Sequence, residues 1–216
     1  MSNRGLGQYD SEYARCPCFW GTDPGKFVRS IPSVVHPGRV LDLGAGEGKN
    51  AIYLAQNGFN VLAVDCSDFA LNNFRRRLAD LPEEVSRRVR VVKADATKFQ
   101  PDGSFDVVVA YGLLHCLADR DSIEHVVSVM QNCTTAGGIN VLVSFTDVLP
   151  VPPEQDYLEP TLLPEGALES LYLEWETLRS ENDVITETHP TSDAPHSHSL
   201  CRLLARKREC RTIVEP

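Results

Sequence analysis

The sequence predicts an α/β protein with a doubly wound, mostly parallel, seven-stranded sheet in a single domain. Short apolar runs alternate along the chain with segments of helical periodicity, a pattern typical of strands joined by crossover helices. The first clear run, 40–43, is followed by glycines at 44, 46 and 48, where a strand would turn sharply into a helix. The 216 residues are 42% hydrophobic and 24% charged, which suits one well-covered α/β domain.

Each predicted element has a local reason. Gly58 provides a C-cap for a helix over 50–58. Ser67 or Asp68 provides an N-cap for a helix over 69–81, and Pro82 ends that helix. Periodicity predicts the remaining elements, which are strands at 60–65, 89–96, 105–111, 139–144, 173–189 and 198–206, and helices at 123–133 and 165–171. We expect one antiparallel strand, at the edge of the sheet.

The loop after the first strand is typical of a site where a cofactor contacts bare backbone. Glycine-rich turns of this kind usually hold the pyrophosphate of a dinucleotide at a helix N-terminus. Here Asp42 lies two residues before Gly44, and its carboxylate would repel a pyrophosphate. The same negative charge suits S-adenosylmethionine (SAM), whose sulfonium and α-ammonium groups are cationic.

A second carboxylate supports the same interpretation. Asp65 ends the next apolar run, where a doubly wound sheet holds a ribose by its two hydroxyl groups. The alternative is that the glycines only let the helix and the strand pack closely. Packing alone has no use for an acid at the end of each strand, so the pattern favours a bound adenosyl cofactor.

Residues 39–145 resemble a class I SAM-dependent methyltransferase. The stretch 42–55 is most similar to the tellurite-resistance branch, of tellurite/thiopurine type, whose motif reads D-L-G-C-G-x-G-R-N-S-x-Y-L-A. Three later segments resemble the same branch: 171–176 its Y-Y-x-x-W-E stretch, 181–184 its N-E-D-V, and 203–207 its closing M-L-A-R-K. The resemblance implies transfer of a methyl group from SAM to a small-molecule acceptor.

The motif and the resemblance together give a set of candidate SAM-binding residues. By the resemblance, Asp95 with Ala96 would hold the adenine amino group at the end of the third strand. Trp20 is a candidate to pack on SAM or on the substrate, and Arg4 or Arg29 to lie near the SAM carboxylate. The predicted cofactor set is Asp42, Gly44, Ala45, Gly46, Gly48, Asn50, Asp65, Cys66, Asp95, Ala96, Tyr111 and Trp20.

Candidate catalytic residues lie where strands end near the transferred methyl. Methyl transfer from a sulfonium mainly needs alignment and exclusion of water, so few groups are required. His115 is the first candidate for a base, with a packed loop histidine as the alternative, and Tyr111 precedes it at the strand end. His189 is the second, because the family has a histidine followed by arginine there. Pro190 replaces that arginine, which disfavours an oxyanion acceptor such as tellurite or selenite.

No metal site is predicted. His196 and His198 alternate on the last strand, near Cys201, and His189 could join them on one face. We interpret these histidines as a polar strand end facing water, or as substrate contacts. The seven cysteines have no framework spacing and are expected to be free thiols, the close pair at 16 and 18 included.

Two segments outside the sheet pattern receive separate interpretations. Residues 1–38 concentrate aromatic side chains and are expected to form a cap over cofactor and substrate, or a satellite cluster at the sheet edge. The proline-rich segment 146–164 is expected to be a lid loop, or a solvated linker. These boundaries give a methyltransferase domain at 39–208 and a tail at 209–216.

Composition limits the partners and the location. The formal net charge of −9 disfavours a nucleic-acid substrate, which needs a basic surface. No apolar stretch reaches the length of a membrane span, and the first residues lack a hydrophobic secretory segment. We therefore expect a cytoplasmic monomer or homodimer that acts on a small molecule and binds neither nucleic acid nor membrane.

The leading acceptor class is a soft chalcogen nucleophile, meaning a thiol, selenium or tellurium species. The alternative within the same class is an O-, N- or C-methyltransferase of specialised metabolism. Two further classes stay open. One is a NAD-dependent oxidoreductase, whose fingerprint would be G-x-G-x-x-G without Asp42, and the other is a catalytically inert SAM-binding protein.

Overall fold

The structure, a computed structural model, describes residues 9–153, 158–189 and 192–209. Within these residues one sheet has the strand order β3-β2-β1-β4-β5-β7-β6. Its strands are β1 (Arg39–Leu43), β2 (Asn60–Asp65), β3 (Val89–Lys93), β4 (Phe105–Tyr111), β5 (Thr134–Phe145), β6 (Glu176–His189) and β7 (Ser192–Arg206). The first five strands pair in parallel, and the predicted doubly wound, mostly parallel sheet is confirmed.

The predicted position of the antiparallel strand is wrong. β7 runs antiparallel between β5 and β6, while β6 takes the edge and runs in the direction of the first five strands. The side chains explain this order, because Leu203, Leu204 and Ala205 of β7 are buried on both faces of the sheet. β6 is rich in charged residues, which suits an exposed edge.

β5 is longer than the sequence indicated. It begins at Thr134 instead of 139 and includes the glycine pair 137–138. A register shift between Phe105 and Val107 accommodates the added residues beside β4. A side chain at Gly138 would lie 2.9 Å from the carbonyl oxygen of Asp106, so the close approach of the strands requires glycine there.

The four predicted helices are present, with bounds that differ by a few residues from those predicted, and three short helices are added in the described part of the chain. They are α1 (Asp10–Arg15), α2 (Ile31–Val34), α3 (Lys49–Gln56), α4 (Asp68–Ala79), α5 (Glu83–Ser86), α6 (Arg120–Cys133) and α7 (Ala167–Ser170), with 3-10 turns at Val28–Ser30 and Leu114–Cys116. The Ser67 hydroxyl accepts a hydrogen bond from the Ala70 N–H at 3.1 Å, which confirms the predicted N-cap of α4. Asp119 caps α6 in the same way, so that helix begins before the predicted residue 123.

The core lies on both faces of the sheet. Leu41 and Leu43 of β1 pack with residues of α6, whereas Val40 packs on the other face with residues of α3 and α4. Because side chains alternate along a strand, Asp42 points to the same face as Val40, toward α3. No helix in the described ranges is long and apolar enough to cross a membrane.

Candidate active site

A cavity of about 400 Å³ opens at the edge of the sheet where β1, β2 and β4 end. Ligands of open α/β sheets bind at this edge, where the strand order reverses between β1 and β4. The residues from our predicted set that line the cavity are Trp20, Gly44, Ala45, Gly46, Asn50, Asp65, Cys66, Asp95, Ala96, Tyr111 and His115. The structure therefore brings most of the sequence-predicted site together.

The glycine loop forms one wall of the cavity from backbone atoms. The N–H groups of Gly44 and Ala45 donate to the carbonyl oxygen of Val64 at 2.9 and 3.0 Å, which ties the loop to the end of β2. Gly46 has a φ of 53°, in the left-handed region that favours glycine. Its N–H donates to the Asp65 carboxylate at 2.8 Å, so the loop and this acid hold each other in place.

Asp65 ends β2 with its carboxylate held by backbone donors. Besides Gly46, the Ser67 N–H donates to it at 2.9 Å. Burial raises the pKa of Asp65, and these backbone hydrogen bonds oppose the rise. A carboxylate oxygen that accepts one N–H keeps a lone pair, so Asp65 still has capacity to accept ligand hydroxyl groups.

Asp95 follows β3 and is more open to solvent than Asp65. Its Oδ1 accepts hydrogen bonds from the Thr97 N–H at 2.9 Å and the Thr97 hydroxyl at 2.7 Å. Partial burial raises the pKa of Asp95, but the bonds from Thr97 and Lys98 outweigh it and leave the pKa below its ordinary value. This carboxylate is therefore ionised and oriented at neutral pH.

Asp42 and Gly48 are predicted cofactor residues that are absent from the described lining of the cavity. Asp42 is 1% exposed beneath the start of α3, where burial and then the charge of Asp65 raise its pKa to about 7, opposed by the Ala51 N–H and Lys49. Gly48 faces the ring of Phe74, which a side chain there would approach to 2.1 Å. Gly48 thus permits packing of α3 on α4, and direct contact of either residue with a cofactor stays a prediction.

The N-terminal segment lies against the glycine loop. The buried carboxylate of Glu47 accepts the N–H groups of Cys18 and Phe19 at 2.8 and 3.1 Å, and the Asn73 amide at 2.9 Å. These bonds fix the segment after α1 to the loop and to α4. Tyr13 of α1 lies over the loop, with its hydroxyl 2.9 Å from where a side chain of Gly46 would begin. This part of the predicted cap is therefore a wall of the cavity.

Two predicted residues take part in hydrogen bonds between the N-terminal segment and the rest of the domain. The Tyr111 hydroxyl accepts the Lys26 N–H at 3.0 Å, and the Trp20 carbonyl accepts the Lys49 ammonium at 2.9 Å. The Tyr111 hydroxyl therefore helps to hold the N-terminal segment in place, and its catalytic role stays a prediction. The Arg29 Nε–H donates to the Pro24 carbonyl oxygen at 3.1 Å, and Arg29 is absent from the described lining of the cavity. Arg4 lies outside the described residues.

A column of stacked rings lies on the β5–β7 side of the cavity, where two of its members, His115 and Phe145, belong to the lining. The ring of Phe145 lies between His115, at a centroid distance of 3.8 Å, and His198, at 4.3 Å. Burial, with a smaller contribution from His198, lowers the pKa of His115 to about 3. His115 Nδ1 has no hydrogen-bond partner among the described residues. His115 is therefore a neutral imidazole at physiological pH and a weak base.

The expectation that His196 and His198 face water is wrong. The β6–β7 pairing leaves them 8% and 5% exposed. Cys201 does not join them, since its thiol donates to Glu169 at 3.4 Å and alternation directs it to the other face of the sheet. His189 ends β6, and its side chain lies outside what the structure describes, so its catalytic role stays a prediction.

Besides Asp10 and Glu47, sequence reasoning missed three charged residues of the described cavity lining. Lys49 begins α3, Glu187 lies on β6 and Arg202 on β7. The Arg202 guanidinium is 8% exposed and lies 3.2 Å from Asp183 and 3.9 Å from Glu181. The motif identifies Lys49 only as a neighbour of the glycines, and the other two depend on the register of the β6–β7 hairpin.

The proline-rich segment also reaches the cavity. Leu158 and Pro160 line it, and residues 154–157 are outside the described ranges. The Thr161 N–H donates to the His115 carbonyl at 2.8 Å, and its hydroxyl to the Leu117 carbonyl at 2.6 Å. These bonds hold the end of the segment over the loop that carries His115, and a lid function stays a prediction.

Comparison with known proteins identifies the family. Residues 23–198 match the family model described as tellurite resistance protein TehB. The chain belongs to the TehB family. The predicted tellurite-resistance branch is therefore confirmed, and the match extends from the N-terminal segment into the β6–β7 hairpin.

The chain is similar in sequence to a named member of the TehB family. Over 185 residues the chain is 26% identical to a protein of Haemophilus influenzae strain 10810 named probable S-adenosyl-L-methionine-dependent methyltransferase TehB. That alignment covers 84% of this chain and 61% of the relative, so the chain spans about three fifths of the relative's length.

Two solved structures share the architecture. The crystal structure of TehB from Haemophilus influenzae matches with a TM-score of 0.72 and 20% identity, over 94% of this chain and 67% of that one. The N-methyltransferase NodS from Bradyrhizobium japonicum, in complex with S-adenosyl-L-homocysteine, matches with a TM-score of 0.73 and 14% identity, over 96% of this chain and 100% of that one. The fold is that of class I methyltransferases.

Proposed function

We propose that this chain transfers a methyl group from SAM to a small-molecule acceptor. One observation carries the proposal. A single cavity joins a wall of glycine backbone and strand-end carboxylates, on the β2–β3 side, to a wall of aromatic and histidine side chains on the β5–β7 side. The first wall suits an adenosyl cofactor, and the second suits a nucleophile beside it.

The residues of the first wall fit SAM. Asp65 would accept the two ribose hydroxyls, and Asp95 with Ala96 would lie at the adenine. The glycine loop leaves main chain bare, so a ligand contacts the backbone directly. Asp42 lies beneath the loop, and a cationic amino acid tail bound nearby would favour its ionised form. When bound, SAM supplies a methyl group already activated on a sulfonium sulfur.

The protein would contribute alignment and exclusion of water. The N-terminal segment covers the loop through Glu47 and Tyr13, and the described end of segment 146–164 covers the His115 loop. An in-line displacement needs the nucleophile, the methyl carbon and the sulfur in one row, and a closed site raises the rate by holding them there.

The acceptor that fits best is a soft chalcogen nucleophile, with thiols as the leading case. A neutral His115 with a pKa of about 3 is a weak base, so the acceptor must lose its proton readily by itself. Thiols and selenols ionise much more readily than alcohols. Burial raises the pKa of the cavity cysteines Cys66 and Cys116 to about 11 and about 12, so these thiols stay protonated and would not compete for the methyl group.

A methyl-transfer panel tests this function. The purified chain would be incubated with methyl-labelled SAM and separate thiols, selenite, tellurite, phenols and amines, and labelled products would be counted. We expect transfer to thiols. Transfer to a phenol or an amine with none to any chalcogen species would favour the alternative methyltransferase class. SAM binding without transfer to any acceptor would favour an inert SAM-binding protein.

A further inference from the structure

We propose that Glu187, His196 and His198 form a binding site for a divalent transition metal ion of the zinc class, beside the acceptor end of the cavity, which Glu187 lines. The register of the β6–β7 hairpin is the basis for the site. The role that we give to the ion rests on the proposed function.

The hairpin register brings the three side chains together. Glu187 pairs directly with His196, and His198 follows two residues later on the same face of β7. One ligand atom from each residue lies within 4.8 Å of the others, and Glu187 Oε1 is 3.7 Å from His198 Nε2. Zinc binds imidazole nitrogen and carboxylate oxygen at about 2.0–2.2 Å, so small side-chain rotations would close this triangle around one ion.

The burial and packing of the two histidines favour a metal site over a coincidental cluster of polar side chains. Both imidazoles are almost fully buried, and the Phe145 ring lies 4.3 Å from the His198 ring at an interplanar angle of 3°. That stack fixes the plane in which His198 presents its nitrogen atoms. The Glu187 side chain is 34% exposed and lines the cavity, whereas the two imidazoles are absent from the described lining. An ion held by the three residues would therefore meet the cavity on its Glu187 side.

The ligand set selects the class of ion. Two histidines and one glutamate are a three-ligand set of zinc sites that keep a fourth position for water or substrate. Calcium and magnesium prefer oxygen ligands only, and copper(I) prefers sulfur. Lys49 is the other charged group that acts on Glu187, and its ammonium also donates to the Trp20 carbonyl. The Lys49 ammonium therefore acts on Glu187 through its charge, while its hydrogen bond goes to the Trp20 carbonyl.

A zinc-class ion would activate a thiol acceptor. The thiol sulfur would displace a bound water and form a metal–sulfur bond, while the thiol proton passes to solvent water. The thiolate would then donate an electron pair to the methyl carbon of SAM and form a sulfur–carbon bond. The bond from that carbon to the sulfonium sulfur breaks, and its electron pair stays on the sulfur of S-adenosylhomocysteine. The products are a thioether and S-adenosylhomocysteine, and no oxidant or reductant is needed.

Metal titration of the full chain, stripped by a chelator and free of any histidine tag, tests the site. We expect about one equivalent of Co²⁺ per chain, with the visible absorption of a low-coordinate cobalt site, displaced by one equivalent of Zn²⁺. His196→Ala and Glu187→Gln should weaken Zn²⁺ binding by more than about a hundredfold. His198→Phe should do the same while it keeps a ring stacked on Phe145.

Three matched controls test whether other histidines or cysteines bind the ion. His36→Ala and His125→Ala remove exposed histidines, and both proteins should bind Zn²⁺ like the parent. A Cys16→Ser, Cys18→Ser variant should also retain the ion, because the cysteine pair in the cap is the competing ligand source. Thermal unfolding of each metal-free variant would check that the fold is kept.

SAM affinity, measured on the same samples, separates the two proposals. No stoichiometric ion in a parent protein that binds SAM and methylates thiols would overturn the metal site and leave the proposed function standing. Zn²⁺ binding that survives all three ligand variants, or that is lost with Cys16 and Cys18, would also overturn it. Failure of the parent protein to bind SAM would instead overturn the proposed function.

Discussion

The two sides of the cavity are built in different ways. The β2–β3 side consists of glycine backbone and of carboxylates that end successive parallel strands, each held by nearby N–H groups. The β5–β7 side consists of rings and charged side chains contributed by β5, by the His115 loop and by the β6–β7 hairpin. The residues of the first side lie close together in the sequence. The residues of the second side come together only through the pairing of distant strands.

This difference separates recognition of the cofactor from recognition of the acceptor. Changes on the β2–β3 side should alter SAM affinity and the stability of the loop, with little effect on acceptor choice. Changes on the β5–β7 side should alter turnover and acceptor choice while SAM affinity is kept. Four substitutions test that division, from the largest expected effect to the smallest.

Asp42→Asn should flatten the pH dependence of stability. Burial is the main reason that the pKa of Asp42 is raised to about 7, from an ordinary value of 3.8. A carboxyl with a raised pKa in the folded state contributes stability that is complete below about pH 4 and is lost as the pH rises through 7. Parent and variant should therefore diverge by up to about 4 kcal/mol in unfolding free energy between pH 4 and pH 8, measured with urea.

The control for Asp42 is Asp68→Asn, which changes an exposed carboxyl on α4. Its unfolding free energy should stay within about 1 kcal/mol of the parent, because Asp68 has only an exposed ion pair with Lys93 to lose. If the Asp42→Asn curve also ran parallel to the parent, Asp42 would not carry a raised pKa in the folded protein.

Asp65→Ala should weaken SAM binding by about thirtyfold, equivalent to about 2 kcal/mol, in titration calorimetry. The substitution removes the acceptor for ribose hydroxyls and also the partner of the Gly46 and Ser67 N–H groups. Asp68→Ala should bind SAM like the parent. An Asp65→Ala dissociation constant within threefold of the parent would exclude Asp65 from the cofactor site.

His115→Phe should lower turnover by about tenfold through poorer alignment of the acceptor, while the dissociation constant of SAM is unchanged. Phenylalanine keeps a ring to stack on Phe145 but removes a buried polar nitrogen from the cavity wall. Turnover and SAM affinity would be measured on the same preparation. Equal turnover in parent and variant would show that His115 has no role in methyl transfer. Weaker SAM binding by the variant would contradict the division between cofactor recognition and acceptor recognition.

Asp95→Asn should weaken SAM binding by only about threefold. The Asp95 side chain is partly exposed, and asparagine keeps an oxygen that can accept the Thr97 N–H and hydroxyl. The same calorimetric titration would measure it. A loss as large as that of Asp65→Ala would show that charge at Asp95 matters more for the adenosyl group than one hydrogen bond.

The sequence predicted one side of the cavity much better than the other, for a physical reason. An apolar run, an acid and alternating glycines lie within nine residues, 40–48, so local rules identify the strand, the loop and the helix that follows. Asp65, which ends β2, and Asp95, which follows β3 by two residues, are likewise marked by their strands.

The hairpin side could not be predicted in this way. Whether His196 faces water or the interior depends on which strand takes the sheet edge, and a shift of one residue in the pairing reverses every side chain. Glu187 and Arg202 are unremarkable in a charged stretch until the register places them on the cavity. The stack of Phe145 between His115 and His198 joins three separate segments, and no local pattern announces it.

The central claim is that the glycine loop and the strand-end carboxylates bind an adenosyl cofactor with a cationic tail. Calorimetric titration of the full chain with SAM, S-adenosylhomocysteine and NAD tests it most directly. We expect SAM and S-adenosylhomocysteine to bind, each with about one site per chain, and NAD to give no binding heat. Tight binding of NAD with none of SAM would contradict the account.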